Sequence, residues 1–308
     1  KTEPEATVRR FMNHPATAGY FLRDEPSADD FAELGAWAAR IRATDDAHYC
    51  YLNLFPNYAP GETLKTDSYR EYVNRFDREV PLQLLSFDRY PVVGDTCRPE
   101  WYENLEIFSD EARKAGKPFW AFALATAHEP YPIPDLAQLR LQVYSDLAYG
   151  AQGIQYFTYW TPEKNPTWDF HHAPVERSSG RRTDVYDKIK QMNAEIQALS
   201  GVFLGCEVVS VRHTGESIPR GTVRLTELPA GVKKLETTGA GAVVSELRNG
   251  DNRFVVIVNR DFKNPMTLQI ELDETASRIL KDGSVVPASL YHETMVVEPG
   301  DAMIYMLE

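Results

Sequence analysis

Up to about residue 204, short apolar runs alternate with amphipathic stretches along the chain. Five runs read as strands: 19–22 (GYFL), 49–54 (YCYLNL), 84–87 (LLSF), 119–124 (FWAFAL) and 154–159 (IQYFTY). Their near-continuous apolar character suits parallel strands buried on both faces. Their centres, Phe21, Tyr51, Leu85, Phe122 and Tyr156, are spaced by 30 to 37 residues, enough for one strand–helix unit each.

The gaps carry helical spacing. Ser27 with Asp30 resembles a capping box, Asp replacing the usual Glu, ahead of Phe31, Leu34, Trp37 or Ala38, and Ile41. Asp67 precedes a helix over 69–76, and Pro99 precedes one over 101–115 that Gly116 can terminate. The stretch 134–149 aligns Leu136, Leu139, Val143 and Leu147, and 184–203 aligns Tyr186, Ile189, Met192 and Ile196. These stripes are core faces.

Beyond Gly205 the pattern becomes short strands and turns. Runs at 253–258, 266–270 and 303–306 read as strands, and Asn249-Gly250-Asp251 and Asp282-Gly283 as turns. The chain therefore divides into an α/β part over 1–204 and an all-β sandwich over 205–308. Five units suit either of two architectures. One is an eight-stranded (β/α)8 TIM barrel, three of whose units would lie ahead of Lys1 and be missing at the N-terminus. The other is a genuine five-stranded open sheet. The barrel is the simpler account.

Charge removes some functions. Lys and Arg number 33 against 45 Asp and Glu, a net charge of −12. A nucleic-acid partner needs a basic stripe, and an anionic membrane surface also needs basic residues. No apolar run reaches the ~20 residues of a membrane-inserted helix. Cys50, Cys97 and Cys206 are far apart and lack CxxC spacing, so they read as three buried thiols and not as a zinc site. No HExxH spacing occurs either, so no metal is expected.

Ligands of parallel α/β folds bind at the carboxyl ends of the strands, and all five ends carry polar or aromatic residues. The first is followed by Arg23-Asp24-Glu25-Pro26, the second by Asn53 and Tyr58, and the third by Asp88-Arg89-Tyr90. The fourth is followed by Thr126, His128, Glu129 and Tyr131, and the fifth by Tyr159, Trp160 and Glu163. Carboxylates with aromatics are what glycosidic cleavage requires. One carboxylic acid protonates the leaving oxygen and a second carboxylate serves as nucleophile or base. Glu25 is the leading acid, because Asp24 beside it would raise its pKa; the competing reading of Asp24-Glu25 is charge at a helix start. Glu129 is the second carboxylate candidate and Asp88 its competitor, although Asp88 reads better as a substrate-binding or structural residue. Asp24, Asn53, Asp88, Tyr90 and His128 offer polar contacts to sugar hydroxyls. Trp120, Tyr131, Tyr159 and Trp160 offer stacking faces, and Trp168 with His171 and His172 forms a loop that would cover the cleft.

The segments HPATAGYFLRDEPS (14–27), YLNLFPNY (51–58), SFDRYP (86–91), FWAFALAT (119–126) and LAYGAQGIQYFTYWTP (147–162) together resemble bacterial glycoside hydrolases of the clan-A barrel type. The nearest likeness is to a group related to β-galactosidases and agarases, and it covers residues 6 to 200. It implies a (β/α)8 barrel whose fourth strand is GYFL. It also implies Glu25 as acid/base, Glu129 as nucleophile, a retaining mechanism, a carbohydrate substrate and no cofactor. A secreted or periplasmic location follows from the same likeness, while the oligomeric state does not. Two departures stand out: Asp24 occupies the place of the usual Asn, and Glu129 lies several residues past its strand. The tail reads as a module packed on the barrel, without an evident aromatic platform. The alternative function is a non-catalytic carbohydrate-binding protein on a degenerate barrel. A serine hydrolase is disfavoured because no GxSxG elbow occurs.

Overall fold

The computed structural model describes residues 3–288 and 294–307, in two compact units: Lys1–Arg89 with Asn104–Ala121, and Tyr90–Glu103 with Phe122–Glu308. The first unit runs α1 (Pro4–Phe11), β1 (Gly19–Asp24), a 3-10 turn (Ala28–Asp30), α2 (Phe31–Thr44), β2 (Tyr49–Asn53), α3 (Gly61–Leu64), α4 (Tyr69–Glu79) and β3 (Leu85–Asp88). A small hairpin, β4 (Val92–Val93) and β5 (Thr96–Cys97), opens the second. Next along the chain come α5 (Glu100–Ala115) and β6 (Phe119–Leu124), whose residues divide between the units. The second unit continues with α6 (Leu136–Ala148), β7 (Gly153–Phe157), α7 (Asp184–Ala198) and α8 (Ser200–Phe203).

In the first unit β1 pairs in parallel with β2, with Phe21 opposite Tyr51 and Asp24 opposite Asn53. Leu54, just past β2, bridges Phe87 of β3 in parallel, and the Leu85 amide donates to Pro118 O beside the start of β6, 3.1 Å. Neighbouring strands thus follow chain order. A doubly wound sheet reverses its order at a switch point, whereas a barrel wall does not. In the second unit the same logic continues from β6 to β7, where Ala125 N donates to Phe157 O, 2.7 Å. The five expected strands are β1, β2, β3, β6 and β7. Burial on both faces does not extend to β1, where Phe21 is 60% exposed. Among the described residues only β2 pairs with β1, so one edge of β1 is uncovered.

The helices follow their expected stripes. Asp30 accepts from both the amide and the hydroxyl of Ser27, at 3.0 and 2.9 Å, and a 3-10 turn precedes α2 at that cap. On α2 the buried residues are Phe31, Leu34, Gly35, Ala38 and Ile41, so Ala38 rather than Trp37 faces the core. Phe31 packs on Tyr72 and Phe76 of α4, with ring centroids 5.3 and 5.5 Å apart. The cap of α4 is Ser68, which accepts from Glu71 N, while Asp135 caps α6 by accepting from Gln138 N, 2.7 Å. The stretch expected as one helix over 184–203 is two, broken at Leu199. The three thiols are free; Cys50 is buried, but Cys97 and Cys206 are only half-buried.

After α8 the elements are strands alone: β8 (Glu207–His213), β9 (Val232–Thr237), β10 (Ala242–Asn249), β11 (Asn252–Asn259), β12 (Met266–Leu272), β13 (Ser277–Ile279), β14 (Val285–Pro287), β15 (Met295–Val297) and β16 (Ala302–Leu307). One sheet has the order β14-β13-β16-β11-β10-β8 and the other β15-β12-β9. All their pairings are antiparallel. Gly250 makes the β10–β11 turn at φ +61°, a left-handed conformation that glycine adopts without steric cost. Val244, Val255, Ile257, Leu268, Ile270 and Tyr305 from the two sheets share one core.

Candidate active site

In the first unit, the ends of β1, β2 and β3 meet at Asn53. Asn53 is the last residue of β2 and is 4% exposed. Its main-chain oxygen accepts from Glu25 N, 2.9 Å. Its side-chain Nδ2 donates to Asp88 Oδ1, 2.6 Å, and its Oδ1 accepts from Ser86 Oγ, 3.0 Å. Ser86 in turn meets Tyr51 Oη, 2.9 Å. Alternation along a strand explains the grouping: residues two apart share a face. Tyr51 and Asn53 therefore share one side of β2, as do Ser86 and Asp88 on β3.

Glu25 follows β1 and is half-buried. Its φ is +45°, a left-handed conformation that costs a non-glycine residue on the order of 1–3 kcal/mol and persists only where the surroundings enforce it. The Asn53 carbonyl is one such restraint. A second holds the next residue, for Tyr72 Oη donates to Pro26 O, 2.6 Å. Burial, followed by the negative charges of Asp88 and Asp24, pushes the Glu25 carboxyl up to about 7. Asp24 is also raised by burial, against an opposing hydrogen bond from Asn53. Trp120 lies over the same face, 6.1 Å from Tyr51 and 5.8 Å from Tyr49 between ring centroids. Phe21 extends this band, 5.6 Å from Tyr51. The first unit thus assembles Asp24, Glu25, Asn53, Asp88 and an aromatic strip containing Trp120. This arrangement provides a protonatable acid and amide and carboxylate contacts beside a stacking surface.

The second unit gathers the other expected residues into two groups. His128 is buried and surrounded by Tyr131, Phe170, Trp168 and Phe157, at centroid distances of 4.8, 4.8, 5.5 and 6.0 Å. Tyr90 packs edge-on to Tyr131, 5.7 Å away. His128 Nδ1 lies 3.1 Å from Thr126 O. A carbonyl only accepts, so Nδ1 carries the hydrogen; burial lowers the His128 pKa, and the ring is neutral. Glu129 is exposed, and its amide donates to Asp169 Oδ1, 2.9 Å. Tyr159 and Trp160 form a separate exposed pair, 5.5 Å apart and nearly perpendicular. The loop after them is tied down by bridges from Trp160 to Val175 and from Ala127 to His171. It encloses a cavity of about 600 Å3 lined by Thr161, Pro162, Phe170, His171 and His172 among others. Among the described residues no group of three or more His, Cys, Asp or Glu is arranged to hold a metal.

Sequence reasoning missed Tyr51, Ser86, Tyr72, Phe157 and Phe170. For Tyr51 and Ser86 the signal was present, since each sits two residues before a chosen site residue on its strand. Tyr72 lies on a helix, and Phe170 in an irregular loop, where no periodicity indicates direction.

Residues 51–199 match the family model Glyco_hydro_42, described as β-galactosidase. No curated protein matches the chain in sequence. Among solved structures, the α-amylase from Geobacillus thermoleovorans, complexed with acarbose, is similar with a TM-score of 0.53 and 11% identity, over 99% of this chain and 63% of its own. The α-amylase from H. orenii gives 0.50 and 8% identity, over 99% and 64%. The β-galactosidase from the psychrophilic Marinomonas ef1 gives 0.43 and 14% identity, over 56% and 27%. The amylase likenesses are of fold, that of (β/α)8 glycosidases with an added β domain, and the chain spans less than two thirds of each of these proteins. Through residues 51–199, with their family match, and through its barrel-type fold, the chain belongs to the glycoside hydrolases related to family 42.

Proposed function

We propose that this protein hydrolyses a glycosidic bond of an oligo- or polysaccharide, a β-galactoside being the first substrate class to test, with Glu25 as proton donor. The observation that carries this reading is the half-buried Glu25 carboxyl at a strand end, pushed up to about 7 by burial and by two neighbouring carboxylates. A group with such a pKa is still largely protonated near neutrality and returns a proton efficiently. Asp24, Asn53 and Asp88 would hydrogen-bond sugar hydroxyls. Trp120, with Tyr90, His128, Tyr131, Tyr159 and Trp160, would bind and stack on sugar rings. The resemblance gives the second carboxylate role to Glu129 and with it net retention. We also propose, from the same resemblance, that the catalytic part ends near residue 204, that the 205–308 sandwich supports it, and that the protein works in the periplasm or outside the cell.

The test is a panel of aryl glycosides, β-galactosides included, assayed with the wild type and with Glu25→Gln. Turnover that the substitution reduces by ~10²–10⁴-fold, the usual worth of a general acid, supports the enzyme. Sugar binding without turnover in either protein supports a carbohydrate-binding module instead.

A further inference from the structure

Resting on the reading of Glu25 as proton donor, we propose that Asp88, held by Asn53, is the nucleophilic carboxylate that works with Glu25. One buried amide fixes both groups. The Asn53 main chain receives the Glu25 N–H at 2.9 Å, and its side chain donates to Asp88 at 2.6 Å. The amide cannot turn over freely, because its oxygen is engaged by Ser86 Oγ at 3.0 Å, and that hydroxyl also meets Tyr51 at 2.9 Å. The orientation that presents N–H to Asp88 is therefore built in. A donated N–H favours the charged form of a carboxylate, while burial keeps Glu25 protonated to a higher pH. Two carboxyl groups in one mouth, biased to opposite protonation states, constitute the acid and nucleophile division of a glycosidase. Glu129 has no such support. It is exposed, and the contact that anchors it runs through its amide to Asp169.

The reaction divides accordingly. Glu25 gives its proton to the glycosidic oxygen as the bond from that oxygen to the anomeric carbon breaks, the electron pair leaving with the oxygen. An Asp88 oxygen supplies the pair that bonds to the anomeric carbon. Water then displaces Asp88 from that carbon, returning the electron pair to the carboxylate and its proton to Glu25. Asn53 is a positioning residue in both steps.

Four variants test this with activated aryl β-galactosides and the wider aryl panel: Glu25→Gln, Asp88→Asn, Asp88→Gly and Glu129→Gln. Asp88→Asn is expected to lose at least ~10³-fold in kcat, and Glu129→Gln to stay within about tenfold of wild type. Added azide should restore turnover to Asp88→Gly and release a glycosyl azide of inverted configuration, which also shows that the variant is folded. Asn53→Ala should lower kcat with little change in KM, because it disturbs a group used in the transition state. Turnover retained by Asp88→Asn overturns the proposal, as does azide rescue of Glu129→Gly but not of Asp88→Gly. If Glu25→Gln is inactive while Asp88→Asn is active, only this inference falls. If wild type turns over no member of the panel, the parent reading falls with it.

Discussion

At the residue scale, two ionisable groups carry distinct predictions. Glu25 prefers its neutral form in the fold, so it adds stability below the ordinary carboxyl range, and that contribution is lost as pH rises through about 7. Gln is neutral at every pH. Glu25→Gln should therefore gain thermal stability relative to wild type as pH is raised from 5 to 8, even while losing activity, the usual trade at a functional site. Melting curves of both proteins across that range check this, and a constant difference would contradict it. His213 behaves with the opposite sign. It is buried, its Nε2 lies 2.8 Å from Tyr149 Oη, and Tyr102 packs edge-on at 5.1 Å. Burial, aided by the Arg260 charge, depresses its pKa to about 3. The unfolded chain protonates this ring near its ordinary pKa, so stability is complete above that value and falls as pH drops from about 6.5 towards 3. His213→Phe should flatten the acid side of the stability profile in that window, as read by urea midpoints.

At the scale of elements, packing decides more than propensity. Gly35 is on the face of α2 that meets the end of α4, and a Cβ there would strike the Glu79 carbonyl oxygen. Alanine is the better helix former, yet Gly35→Ala should destabilise the protein by about 1–3 kcal/mol because the two helices must separate. Denaturant unfolding gives the sign directly. The element pattern was legible because burial imposes periodicity. All five parallel strands and the stripes of α2 and α6 follow the spacing of Phe31, Leu34, Ala38 and Ile41 or of Leu139, Val143 and Leu147. What escaped was local. Leu199 breaks a helix that periodicity alone would continue, and a 3-10 turn intervenes between the Ser27–Asp30 cap and α2. Half of the site was equally readable. Strand ends identified Asp24, Glu25, Asn53 and Asp88, but no sequence signal shows that one amide ties Glu25 and Asp88 together. That link depends on strand register, which brings Asp24 opposite Asn53 and Leu54 opposite Phe87.

At the scale of the molecule, a chain-order parallel sheet gives way to an antiparallel pair of sheets with a core of their own, as in glycosidases that append a β domain to a barrel. Such a β domain is maintained by its hydrophobic layer: Ile257 is fully buried between the sheets, and Ile257→Ala should cost about 2–5 kcal/mol. Urea unfolding followed by tryptophan and far-UV signals measures that loss; an unchanged midpoint would contradict the packing described. The chemistry attributed to the protein depends on a single proton at the end of β1. The decisive measurement is the pH dependence of kcat/KM for an aryl β-galactoside or other hydrolysed aryl glycoside, for wild type and Glu25→Gln. The account predicts a wild-type activity that falls as pH rises through about 7, and a variant whose residual activity lacks that limb. Undiminished turnover by Glu25→Gln, with the alkaline limb intact, would contradict it.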